Sequence, residues 1–331
     1  MQSKQANLEK NTSDTKIDLK KIEWNKYMVY IVFIIVFLAF SVILGNKGFL
    51  SPNNLLNILR QTSMVSIMAI AGTFVLAAGQ IDLTVGAVAA MTAMCVSLVL
   101  QSTNSIFLAL LTGLGFGVVC GAVNGFLVTI LKIPAFLATL GMMQIIRGSA
   151  MWITNTAAIP IKNNQFNSIF GIGSVGGISV LILWTILFYV IGVFIFNKTT
   201  FGKHTLATGG NELSAKYSGI NTNLVKLKVF IMSGAFAAFA GILYAARMQS
   251  GRYSFGDGDE MSVIAAVVLG GAAMNGGSGS VVGALVGSLL MGIIKNALIL
   301  AGLSSSQQTI VQGLIIVLAV ALSNLSRKKN N

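Results

Sequence analysis

Nine carboxylates, one histidine and two cysteines make up the whole stock of acid–base, metal-binding and thiol chemistry in these 331 residues. Their spacing assembles no reaction centre. His204 has no cysteine or carboxylate companion at ligand spacing and reads as a solvated loop residue. Cys95 and Cys120 fall inside apolar runs, where a thiol packs as a small hydrophobe. No nucleophile stands beside a base and no carboxylate pair is set for proton transfer, which argues against an enzyme. Gly202-Lys203 is followed by His204 and lacks an upstream glycine, so it is not the G-x-x-x-x-G-K-[ST] phosphate cradle. Catalytic, cofactor-binding and metal-ligating residues are therefore all expected to be absent.

The acids that remain invite other roles. Asp82 follows Gly79 and Gln80 and precedes an apolar run. It suits a helix start, where a carboxylate takes up free N–H groups at the positive end of the dipole. A gate or path contact is the second reading; proton coupling is the third, although no ionisable relay surrounds it. Asp257, Asp259 and Glu260 form an acidic stretch that either meets a basic patch on a soluble partner or is a solvated loop. Lys295 sits within an apolar run, where snorkelling or a backbone-carbonyl partner is the usual fate of a lysine.

These residues are positioned by an oily chain. Of its residues 55% are hydrophobic and 9% charged, the mean hydropathy is +0.82, and the apolar residues come in runs of about 20, long enough to cross a hydrocarbon core of about 30 Å as helix. The expected fold is an all-α, polytopic transmembrane bundle of about ten spans, near 27–45, 62–79, 83–101, 105–130, 134–153, 178–197, 227–247, 262–275, 279–301 and 306–324. Segment 262–275 is too short for an ordinary crossing and suggests a broken or re-entrant helix. The first span follows a polar tail, 1–26, with no small-residue cleavage pattern after it, and reads as an anchor. A transmembrane domain at 27–325 and a short tail at 326–331 complete the organisation.

Ten spans put both termini on one side, together with Lys132, the lysines of 198–228 and Arg327 to Lys329. Far fewer basic residues fall opposite, with 155–177 as the longest loop there and 46–60 as a second, part-amphipathic one. The positive-inside rule makes the lysine-rich side cytoplasmic. Topology and anionic headgroups thus account for the formal charge of +13, and nucleic acid is set aside as a partner.

The longest polar interruption after the N-terminus is 197–228. Gly202, Gly209, Gly210 and Gly219 are expected to supply bends, and residues 211–218 to form about two turns of helix, with Glu212 in the first turn and Lys216 in the last. A short helix offered by a loop is either a docking device or a solvated connector. Within the spans, Gly117, Gly121 and Gly125, and again Gly279, Gly283 and Gly287, recur every four residues. Each set lays a flat strip where a neighbouring backbone can approach, within the subunit or across a dimer. No polar stripe runs along any span, so no path-lining residue is marked.

Four ordered motifs resemble the permeases of sugar ABC importers, the ribose, xylose and galactoside class, and within it most of all the ribose permeases. They are G-Q-I-D-L-T-V-G from Gly79, N-G-F-L-V-T-I-L-K-I-P-A-F-L-A-T-L-G-M-M from Asn124, T-F-G-K-H-T-L-A-T-G-G-N-E-L-S-A-K-Y-S-G-I-N from Thr200, and D-E-M-S-V-I-A-A-V-V-L-G-G-A-A-M-N-G-G-S-G-S-V-V-G from Asp259. The chain departs from the pattern at Ala135, Lys203, Asp259 and Ser262. The resemblance implies a translocation subunit in a bacterial plasma membrane, paired with a second permease copy, driven by a cytoplasmic ATPase subunit that uses ATP and Mg, and supplied by an extracytoplasmic sugar-binding protein. It implies that Gly202, Gly209, Gly210, Asn211, Glu212, Ala215 and Gly219 form the ATPase-coupling loop, with Ala215 allowing close approach. A permease for nucleosides, a quorum-signalling furanose or branched-chain amino acids is the alternative cargo class; a secondary transporter stands third.

Overall fold

The computed structural model describes residues 24–328. Most of the tail expected at 1–26, with its early lysines, and residues 329–331 lie outside these. Thirteen α-helices occupy the described chain. Each of the ten expected spans coincides with one of them, but only seven helices among the described residues are long and apolar enough to cross a membrane: α2 (Pro52–Ala77), α3 (Val85–Thr103), α4 (Ile106–Thr129), α5 (Ala135–Thr154), α7 (Val180–Lys198), α10 (Thr222–Met248) and α12 (Val281–Leu300). Of the other three, α1 (Trp24–Ile43) offers a described apolar stretch of Val29–Ile43, α11 (Asp259–Leu269) has 11 residues, and α13 is Ser305–Lys328. At 1.5 Å per residue α11 is about 16 Å long, half a hydrocarbon core.

Two segments expected to be loop are helix. Helix α2 begins at Pro52, ten residues before the expected start, because Ser51-Pro52 is a strong start signal: the Ser51 hydroxyl accepts from the Asn54 N–H at 3.3 Å, and proline suits the first turn. Arg60 is consequently a helix residue. Thr200–Gly210 forms α8, whose N-terminal Thr199 hydroxyl accepts from the Gly202 N–H. Three of the four glycines expected to bend that segment are therefore helical.

Helices α2, α3 and α10 lie at the centre, with α4, α5 and α7 more exposed at the periphery. Helix α10 packs along α4, α3 and α2, and α12 along α11 and α2. Small residues set these contacts. A Cβ on Gly117 would overlap the Gly234 carbonyl and one on Gly121 the Phe230 carbonyl, so α4 and α10 touch backbone to backbone. Gly283 and Gly287 of α12 meet Gly270 and Ala266 in the same way. Gly125 faces Leu227, and Gly279 faces Thr73 at an easier 3.1 Å. Both strips thus serve contacts within the chain.

The 155–177 stretch is tied down. Its β1 (Ile159–Pro160) pairs antiparallel with Ser250–Gly251 just after α10, a short helix α6 follows at Asn164–Asn167, and Ser174–Val175 pairs with Ile178–Ser179 in a small hairpin.

Candidate functional site

The polar segment after α7 folds as two short helices, α8 and α9 (Glu212–Tyr217), at an abrupt corner. Asn211 turns the corner in extended conformation, and its Oδ1 accepts from the Ser214 N–H at 2.9 Å, capping α9. Gly219, with φ +83°, ends it in the left-handed region, and the Ile220 N–H returns to the Ala215 carbonyl. Glu212 fastens α9 to the start of α10. Its carboxylate takes the Lys226 ammonium at 2.7 Å and that of Lys216 at 2.9 Å, and accepts from the Thr222 hydroxyl. The hydrogen bond from Lys226 leads in holding the Glu212 carboxyl down at about 2; partial burial works against it and Lys216 assists.

Ala215 is buried, at 4% exposure, on the face of α9 turned into its own chain. It therefore offers no surface to a partner, and the close approach expected there is made within the chain. The exposed face carries Leu213 at 66% and Tyr217 at 90%, an i, i+4 apolar pair on an otherwise polar helix. Sequence reading passed over both; helical spacing measured from Glu212 was the signal that could have found them. His204 is exposed, and no three His, Cys, Asp or Glu side chains group as a metal site among the described residues.

The glycines of this segment bind it to the bundle instead of bending it. Gly202 lies so close to the Phe196 carbonyl that a Cβ would overlap it, and Gly209 stands likewise to Ala77 at the end of α2. The Ala77 carbonyl also accepts from the Gly277 N–H at 2.9 Å. Gly276 (φ +87°) and Gly277 (φ +79°) hold the turn between α11 and α12, and Cβ atoms there would come within 2.6 Å of the Gly209 oxygen and 2.7 Å of the Gly210 Cα. Gly79 (φ +70°) borders the same spot. Three chain breaks thus meet in one junction with almost no side chains: the end of α2, the end of α8 and the α11–α12 turn.

Asp82 lies on the next stretch of chain and is buried. Its Oδ1 accepts from the Thr84 N–H at 2.9 Å and the Thr84 hydroxyl at 2.6 Å, and that hydroxyl accepts in turn from the Asn124 amide at 3.0 Å. Val85 begins α3, so Asp82 satisfies one N–H just ahead of the helix and links the α2–α3 break to α4.

The three acids of 257–260 separate. Asp257 is exposed and stands 3.7 Å from the Arg147 guanidinium, which also donates to the carbonyls of Tyr253 and Phe255. Asp259 and Glu260 are buried, at 7% and 8% exposure, because they occupy the first turn of α11 as it enters the bundle. Asp259 accepts from the Tyr244 hydroxyl at 2.6 Å, and Glu260 abuts Gly86. Neither can meet a soluble partner where it stands, so only Asp257 remains a surface candidate.

Residues 54–320 match the family described as branched-chain amino acid transport system / permease component. Among similar curated proteins, the ribose import permease protein RbsC of Haemophilus influenzae is 37% identical over 97% of this chain and 99% of its own length. That of Escherichia coli K12 is 38% identical over 84% and 88%. The L-arabinose transport system permease protein AraH of E. coli K12 is 36% identical over 92% of each chain. No solved structure matches the chain. A bundle of apolar helices joined at glycine contacts, with a family match covering most of its length, makes this chain a member of the branched-chain amino acid transport system / permease component family and a multi-pass membrane protein.

Proposed function

We propose that this chain is the membrane-spanning subunit of an ATP-driven, binding-protein-dependent importer of a monosaccharide, with ribose as its cargo. The observation that carries this reading is the 37–38% identity to ribose import permeases along nearly the whole chain. Two copies of the chain form the route. Both termini and 198–228 are cytoplasmic, and 155–177 is external, on the strength of the lysine asymmetry. The chain itself hydrolyses nothing; ATP and Mg are used by a cytoplasmic ATPase subunit, and an extracytoplasmic binding protein, met in part by Asp257, delivers the sugar.

In this account α9 is the coupling helix. Leu213 and Tyr217 enter a groove on the ATPase, and Glu212 makes α9 and the start of α10 move together. Displacement of α8 passes at once to α2 and to the α11–α12 turn, since backbone packed against backbone without side chains has little slack. L-Arabinose is the second cargo to test, because an L-arabinose permease is nearly as similar.

The test is uptake into vesicles holding the permease with its ATPase, given sugar-loaded binding protein. Ribose uptake should need internal ATP and survive collapse of ion gradients. Uptake that follows an ion gradient without ATP would overturn the reading, and ATP-driven uptake of arabinose but not ribose would replace the cargo.

A further inference from the structure

Five helices that carry one or two polar residues each converge on a single cavity of about 240 Å³. Its walls include Gln61 of α2, Arg247 of α10, Asp259 and Ser262 of α11, Lys295 of α12 and Gln312 of α13. The volume equals the liquid share of about eight waters, room for one pentose or hexose ring. Gln61 lies about 14 Å along the 26-residue α2. Gln61 and Gln312 are half-buried and Lys295 is exposed, so the cavity opens to the surface of the chain.

Three of these groups are already engaged. The Arg247 guanidinium donates to the Arg60 carbonyl at 3.2 Å, Asp259 accepts from Tyr244, and the Ser262 hydroxyl donates to the Gly258 carbonyl at 3.2 Å. Gln61, Lys295 and Gln312 make no side-chain hydrogen bond or ion pair with another described residue, yet all three face this space. The two amides both donate and accept, Lys295 donates, Asp259 accepts, and methionines and a valine add apolar wall. Hydroxyls that donate and accept around a ring with a C–H face are the chemistry such a wall satisfies; a purely apolar or purely ionic solute would leave half of it unpaired.

We propose that this cavity is a sugar-hydroxyl subsite of the transport route, in which Gln61, Lys295 and Gln312 are the hydrogen-bonding groups that select the cargo. The inference rests on the importer reading above and adds its specificity-determining residues. It also explains why no polar stripe marks a path in the sequence: the polar residues are shared out among five helices and meet only after folding.

The test uses the complete transporter in vesicles and compares Lys295→Met and Gln312→Leu with wild type, for the transported sugar and for its monodeoxy analogues. Retention of the ATPase subunit reports assembly. Each variant should lower uptake of the parent sugar by about tenfold and narrow its advantage over one deoxy analogue, since a site built to bond a hydroxyl rejects the analogue lacking it. Gln61→Met, a replacement of similar length, should give the same narrowing and serves if the other two fail to assemble. Wild-type uptake by the assembled variants, or a uniform loss with unchanged discrimination, would overturn the subsite. Absence of any ATP-driven sugar uptake by the wild-type complex is a different result, and would overturn the importer reading beneath it.

Discussion

Along the α4–α10 seam, Gly117, Gly121 and Gly125 stay within regular helix and let a second regular helix come close; at the junction of α2, α8 and the α11–α12 turn, Gly79, Gly276 and Gly277 hold left-handed backbone where helices stop. The seam repeats every four residues and spreads its contacts over three turns. The junction has no period and concentrates its contacts near the Ala77 carbonyl. A seam of that kind sets how two helices lie together, whereas the junction ties three segments distant in sequence to a single point. The first is suited to stability and the second to transmitting displacement.

Substitution at the junction should have the larger effect. Gly209→Ala places a methyl on the Ala77 carbonyl, with the Gly277 nitrogen only 2.8 Å away, and all three neighbours are backbone with no side chain to yield. ATP-driven uptake should fall by an order of magnitude or more while the ATPase still co-purifies. Uptake at the wild-type rate would remove the junction from the mechanism.

Gly121→Leu should come next. It forces α4 from the Phe230 and Ile231 backbone, an overpacking that typically costs about 1–3 kcal/mol. A lowered melting temperature of the detergent-solubilised protein is expected, and unchanged melting would show that the seam bears no load.

Glu212→Gln should be milder, because Glu212 is partly exposed and exposed ion pairs are worth about 0.2–1 kcal/mol. Faster amide exchange across α9 at neutral pH is the expected sign. The carboxyl is held below its ordinary value, so its contribution is complete above about 4.5 and is lost only as pH falls toward about 2. Wild-type α9 protection should therefore be the same at pH 7 and pH 5; a loss between those values would contradict the ion-pair account.

The smallest effect belongs to a glycine in neither region. Gly148 in α5 has open space where its Cβ would be, so Gly148→Ala should be neutral or stabilise by up to about 1 kcal/mol through helix propensity. A clear drop in melting temperature would show that glycine content as such, and not backbone contact, governs this bundle.

The long apolar helices and the seam were legible because their signals are local: apolar runs mark spans, and a four-residue glycine period marks one helix face. Asn211 and Glu212 could be placed on a short helix for the same reason. The junction was not legible, since Gly79, Gly209 and Gly277 are brought together from distant parts of the chain and follow no shared spacing. Ala215 was misplaced because a helix only two turns long has no obvious inner face until its flanks are packed. Asp259 and Glu260 looked like loop acids because nothing in D-G-D-E says that the helix beginning there enters the bundle.

The most direct test of the coupling role is chemical access to the exposed face of α9. With Cys95 and Cys120 replaced by alanine, Tyr217→Cys should react readily with an impermeant thiol reagent in permease alone, since position 217 is 90% exposed. It should become protected when the ATPase subunit is bound and stay unlabelled when intact cells are treated from outside. Equal labelling with and without the ATPase, or labelling from outside the cell, would contradict the assignment of α9 as the cytoplasmic coupling helix.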